Sequence, residues 1–247
     1  CESFAPYGLA PSALAPSYGL AEATLVVSAK TPGTPVRARR FDAAALEARR
    51  VESADPAARA YELVSCGPPV SGMTIVIGNP DTRARCAPGE VGEIWVSDAS
   101  VALGYWQRPA ESEATFGAFL SDTGEGPFLR TGDLGFFHEG ELYIAGRLKD
   151  MLIIHGDNYY PQDIELTVEE SHPALRPNQG AAFSVDTVEG ERLVVVYEIE
   201  RRAQKQGQGD EIMAAVRQRI WEQYGIQVYA LALLAMPAPI GKLFSET

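Results

Sequence analysis

The apolar positions of the chain fall into two rhythms. From Tyr61 to Asp150 they come as short β-branched and aromatic runs bounded by Gly, Pro, Asn and Asp, the mark of strands. "MTIVIG" (73–78) and "GEIWVSD" (92–98) are the clearest, and Pro88-Gly89 in "APGEVGEIWV" predicts a turn ahead of the second. "SEATFGAFL" predicts a short helix. "RTGDLGFFHEGELYIAGRLKD" (130–150) predicts a hairpin turning at His138-Glu139-Gly140. Folding it evenly about Glu139-Gly140 sets Asp133 across from Gly146 and beside Arg147. A carboxylate and a guanidinium would then share the hairpin's open mouth, where opposed positions lie about 5 Å apart.

After Asp150 the rhythm changes. "MLIIHG" predicts a strand and "DNYY" a turn. "PQDIELTVEESHP" predicts a helix with Pro161 in its first turn, Asp163 and Glu165 near its positive end, and Pro173 past its finish. "GAAFSVD" and "RLVVVYEIE" form a second hairpin about "TVEGE", and "RRAQKQGQG" is a polar linker. "DEIMAAVRQRIWEQYG" is a helix with Ile212, Val216 and Ile220 on one stripe and Gly225 as a stop; "IQVYALALL" is a last strand. The order β-α-β-β-α-β in about 100 residues makes a complete small α+β unit. A domain boundary is therefore expected at Lys149-Asp150. Ahead of Tyr61 the chain is rich in Ala and Pro, with a helix-like or strand-like run near Ala21 to Ser28. The basic stretch "VRARRFDAAALEARR" (36–50) predicts an exposed amphipathic helix ending on Arg49 and Arg50. The fold class is α/β (α+β): a β-rich region followed by the small α+β unit.

Charge removes several function classes. Acidic residues outnumber basic ones 33 to 21, a net charge of -12, which disfavours nucleic acid and anionic lipid as partners. Cys1, Cys66 and Cys86 are odd in number and lack CxxC spacing. A disulfide framework or a zinc site is not expected, and a reducing, cytoplasmic location is. His138, His155 and His172 are scattered. The longest apolar run, "VYALALLAMPAPI", is shorter than the ~20 residues of a spanning helix and holds two prolines. No membrane span is expected.

Three spots hold polar groups in unusual company. In "SYGLAEAT" (17–24), a tyrosine face could stack on a purine and Glu22 could hold a hard cation such as Mg2+; the plain alternative is a turn with Glu22 solvated. At the hairpin mouth, Asp133 could accept from both hydroxyls of a ribose and the Arg147 fork suits phosphate. The alternative there is a rim salt bridge worth ~0–1 kcal/mol. In "PAPIGKLF", Lys242 is either a solvated ammonium or a group that steadies charge building between a carboxylate and an α-phosphate.

Taken in order, "SYGLAEATL", "GEVGEIWVSDASVALGYWQRP", "FLRTGDLGFF", "GRLKDMLIIHGDNYYPQDIE" and the terminal "GK" resemble the adenylate-forming (acyl-activating) enzyme superfamily. The likeness is closest to its fatty acyl-AMP ligases, which feed carrier proteins of polyketide and non-ribosomal peptide assembly lines. The resemblance implies that ATP and a fatty acid give an acyl-adenylate and pyrophosphate, after which the acyl group passes to the phosphopantetheine thiol of an acyl carrier protein. By motif, Tyr18 would stack on adenine with Gly19 beside it, and Glu22 would ligate Mg2+. Asp133 would bind the ribose hydroxyls and Arg147 the ribose or phosphate. Residues 1–148 would be the C-terminal part of the large AMP-binding domain, Lys149 and Asp150 the hinge, and 151–247 a mobile lid that inserts Lys242 during adenylation. Ala21 stands where many members have Thr, and "PAPIGK" replaces the usual Ser/Thr-rich approach to the lysine. The phosphate loop and acyl tunnel would precede residue 1, so the resemblance implies a C-terminal fragment that does not adenylate alone. Two further functions are open: a fragment of an acyl-CoA synthetase, and a non-catalytic module that docks a carrier protein or a neighbouring domain.

Overall fold

The structure, a computed structural model, describes residues 2–154, 156–188 and 190–235. The chain divides into two compact units, Cys1–Lys149 and Asp150–Thr247.

In the first unit, β1 (Ser17–Leu20) and β2 (Leu25–Ala29) form a hairpin joined by a 3-10 turn at Ala21–Ala23. Strands β3 (Ala38–Asp42) and β4 (Ala60–Val64) pair antiparallel, with the short helix α1 (Ala43–Glu47) after β3. An antiparallel sheet then runs β5 (Thr74–Gly78), β6 (Gly92–Ser97), β7 (Leu129–His138) and β8 (Glu141–Arg147), with α2 (Pro109–Phe116) between β6 and β7.

The period of two along β6 explains its run of buried residues. Ile94 and Val96 point to one side, against Val27, Leu129 and Leu142; Trp95 points to the other, against Val76, Leu120 and Phe128. Each fully buried Ile, Val or Leu contributes about 1.5–3 kcal/mol. Tyr18 and Leu20 of β1 pack on the Ile94 side, which brings the "SYGL" segment over the sheet. Glu139 and Gly140 both have positive φ, 52° and 81°, as a two-residue turn between twisted strands requires.

The basic stretch is not one helix. Ala38–Asp42 is strand β3, because Phe41 is buried and meets Phe136 and Tyr143 edge-on at 5.0 and 5.3 Å while Arg39 and Arg40 stay exposed. The helix occupies only Ala43–Glu47, capped by Asp42, whose Oδ1 accepts from the Ala45 N–H at 2.8 Å. Arg49 and Arg50 follow that helix instead of closing it. The run from Ala21 to Ser28 is a 3-10 turn followed by strand.

The second unit opens with a hairpin of β9 (Leu152–Ile154) and β10 (Asp157–Tyr159), so "DNYY" is mostly strand rather than turn. Helix α3 (Pro161–Ser171) follows, then β11 (Leu175–Thr187) and β12 (Gly190–Ile199), paired antiparallel. The polar linker contains a helical turn, α4 (Arg201–Lys205), before α5 (Gly209–Tyr224), which stops at Gly225 with φ 68°. Strand β13 (Val228–Ala235) pairs parallel to β12, giving the order β11-β12-β13. Ile164 and Val168 of α3 and Ile212, Val216 and Ile220 of α5 share a core with Leu193, Val195 and Tyr197 of β12. Among the described residues no helix is long and apolar enough to cross a membrane.

Candidate functional site

Two irregularities aim Asp133. Between the pairs Glu93↔Leu134 and Trp95↔Arg130, β6 has one residue, Ile94, where β7 has three, Thr131, Gly132 and Asp133. Gly132 takes φ 73°, a conformation that suits glycine. On the other side of β7 the ladder to β8 shifts between Leu134 and Gly135, and Asp133 comes to lie opposite Arg147. The even fold expected from the turn put Gly146 there. Ala145 is the extra residue, which corrects the expected register by one and sets the carboxylate directly across from the guanidinium. Such bulges re-aim side chains where a regular ladder could not.

The carboxylate is gripped on both oxygens. Arg147 Nε donates to Oδ1 at 3.1 Å, and the Tyr18 hydroxyl donates to Oδ2 at 2.7 Å. Asp133 is 9% exposed, whereas the Arg147 side chain is largely in solvent. The Asp133 N–H donates to Thr131 Oγ1 at 3.1 Å. Burial pushes the Tyr18 phenol well above its ordinary pKa. The Asp133 carboxylate adds to that, the Thr131 hydroxyl and Arg147 oppose it, and Tyr18 remains a donor at neutral pH. Gly19 has a steric reason to be glycine: a Cβ there would lie 1.4 Å from the Leu25 carbonyl oxygen, at the register shift between Tyr18 and Gly19.

Glu22 accepts from the Tyr105 hydroxyl through Oε1 at 2.9 Å. Burial and that carboxylate raise the Tyr105 pKa, so this phenol too stays protonated. Among the described residues no group of three or more His, Cys, Asp or Glu could cage a metal ion. One half-buried carboxylate is nevertheless what Mg2+ uses when phosphate oxygens and water complete its shell, and Glu22 fits that donor chemistry. Lys149 and Asp150 are exposed, at the end of the first unit and the start of the second. Lys242 lies outside the described residues.

Sequence reasoning missed Glu93, Arg130 and Tyr105. Glu93 is 2% exposed and takes Trp95 Nε1 at 2.8 Å and Arg130 Nε and Nη2 at 2.8 and 2.7 Å on Oε2. An acid inside an otherwise apolar strand was the available signal, since such a residue needs a buried partner.

A family model described as AMP-binding enzyme matches residues 6–106. The chain is 50% identical over 235 residues to the medium-chain-fatty-acid–[acyl-carrier-protein] ligase JamA of Moorena producens, covering 94% of this chain and 40% of the relative. It is 43% identical over 222 residues to the long-chain-fatty-acid–AMP ligase FadD26 of Mycobacterium marinum, covering 87% and 36%. The chain thus spans about two fifths of the length of these curated relatives. A solved structure from a study of fatty acyl-adenylate ligases of E. coli and L. pneumophila matches 96% of this chain and 41% of its own, with a TM-score of 0.79 and 28% identity. The L. pneumophila ligase in complex with acyl adenylate and pyrophosphate gives a TM-score of 0.59 at 36% identity over 98% of this chain and 43% of that one. The mixed α/β fold is that of the acyl-adenylate ligases. The chain thus matches an AMP-binding enzyme model over residues 6–106 and is similar to fatty acyl-AMP ligases over most of its own length.

Proposed function

We propose that the chain forms part of a fatty acyl-AMP ligase and that the Asp133 mouth is its ribose grip. The carrying observation is the doubly held carboxylate. A carboxylate has about four acceptor positions; Tyr18 and Arg147 take one on each oxygen. Those left suit a ligand with two adjacent O–H donors, as the 2′- and 3′-hydroxyls of a ribose are. The Tyr18 ring would stack on adenine, and the exposed Arg147 fork would reach the ribose or phosphate. Glu22 would hold Mg2+, which supplies neutralisation of phosphate charge.

In the first half-reaction a carboxylate oxygen of the fatty acid bonds to the α-phosphorus of ATP and pyrophosphate leaves. In the second, the phosphopantetheine thiol of an acyl carrier protein loses its proton and bonds to the acyl carbon, and AMP leaves. Lys149 and Asp150 are the pivot between the two, residues 151–247 the lid, and Lys242 the cation that steadies charge on the α-phosphate. A cytoplasmic location accords with the free Cys66 and Cys86.

Pyrophosphate exchange into ATP tests this. The full open reading frame encoding the chain should show exchange dependent on a fatty acid, and residues 1–247 alone should show none. Absence of fatty-acid-dependent exchange by the full protein would overturn the activity. Offering that protein either coenzyme A or a phosphopantetheinylated carrier, and following which becomes acylated, decides the acceptor. Acylation of the carrier is expected.

A further inference from the structure

We propose that Glu93 is a positioning residue: it holds the Thr131-Gly132-Asp133 bulge and so sets where the nucleotide-binding carboxylate points. The proposal rests on the ribose-grip reading of Asp133. A strand that gains two residues against its neighbour loses ladder partners for them, and buried backbone groups need substitutes. The Ile94 carbonyl finds one in the Thr131 hydroxyl, which donates to it at 2.8 Å. Gly132 finds the other in Glu93 itself, whose Oε1 accepts the Gly132 N–H at 3.1 Å. The Glu93 side chain thereby takes the place of a missing main-chain carbonyl.

Its second oxygen is fixed just as firmly. Oε2 accepts from Trp95 Nε1 and from both Nε and Nη2 of Arg130, whose guanidinium lies 5.4 Å from the Trp95 ring centroid. Trp95 and Arg130 are direct cross-strand partners immediately before the bulge. One oxygen is thus anchored to regular sheet and the other to the irregular segment carrying Asp133. No hydrogen bond or ion pair joins Glu93 to Asp133, and Glu93 acts through the backbone that places it.

The test uses the full-length protein. Glu93→Gln keeps the side chain's shape but replaces one oxygen by an NH2 group, which turns N–H donors against Gly132 or against Trp95 and Arg130. The KM for ATP should rise about tenfold or more, since ~1 Å of misplacement costs up to ~10²-fold. The kcat and the fatty-acid KM should stay close to their starting values, as for lost uniform binding of one substrate. A variant that merely loosened the sheet would lower the active fraction, and hence kcat, without moving the ATP KM. An unchanged ATP KM in folded Glu93→Gln overturns the proposal. Should that variant not fold, Glu93→Leu with Arg130→Leu removes both buried charges together, an exchange that cores tolerate; a raised ATP KM supports the role and an unchanged one overturns it. Asp133→Ala runs alongside. If it leaves the ATP KM unchanged, the ribose grip itself is wrong and the positioning role falls with it; if it raises the KM while the Glu93 variants do not, only the positioning role is lost.

Discussion

Asp133→Ala in the full-length protein is expected to weaken AMP and ATP binding by at least two orders of magnitude. The substitution removes two charge-assisted hydrogen bonds to a ribose, worth ~1.5–3 kcal/mol each, so even the lower sum exceeds about a hundredfold. It also leaves the Tyr18 hydroxyl and the Arg147 guanidinium without the acceptor they share. Calorimetric titration with AMP reads the loss directly, separate from any effect on chemistry. The fold should survive, because Asp133 lies at the open end of the β7–β8 hairpin and the Arg147 guanidinium that pairs with it is largely in water, so losing the pair strands no buried cation. Binding that persists within about threefold of the parent, well short of one such bond, would mean that the mouth is an ordinary rim salt bridge.

The largest expected change in stability is for Trp95→Ala. Trp95 is 0% exposed, packs beside Phe128 at 6.3 Å between ring centroids, and occupies space that glycine at position 78 leaves open, since a Cβ there would lie 3.1 Å from the indole. Removing so large a buried side chain costs about 3–5 kcal/mol. The indole N–H is also one of the donors that satisfies buried Glu93, which adds to the penalty. At ~2–4 °C per kcal/mol for a chain of this size, the melting temperature should fall by roughly 6–20 °C. A fall of less than ~3 °C would show that the site collapses around the cavity or that this face contributes little.

Much of this was legible beforehand, for identifiable physical reasons. The hairpin at Glu139-Gly140 was readable because two adjacent positive φ values need a residue such as glycine and the flanking runs alternate. Helix α3 was readable from Pro161 at its start and Pro173 past its end, and α5 from its single apolar stripe and Gly225 at its stop. What escaped were the local exceptions. Counting from the turn gave Gly146 opposite Asp133, and nothing in "YIAGR" announces that Ala145 adds a residue to one side. The "VRARRF" stretch reads as the start of an exposed amphipathic helix from its charges, yet burial of Phe41 against Phe136 and Tyr143 decides its backbone. The Asp133–Arg147 mouth was legible because aspartate beside arginine is chemically conspicuous, and the two side chains do meet. Glu93 was not, because its role depends on a bulge two strands' registers create together.

The parallel pairing of β12 with β13 has a kinetic consequence. The partners Val194 and Ala230 are separated along the chain by α4 and α5, whereas β11 and β12 meet across a tight reversal such as Thr187↔Gly190. Closing the longer loop costs more chain entropy before any contact repays it, so the β11–β12 ribbon should form first and β13 dock last, onto an edge already made. Pulse-labelled amide exchange during refolding should protect the β12 amides that face β11 before the β13 amides that face β12, and the reverse order would contradict this sequence of assembly.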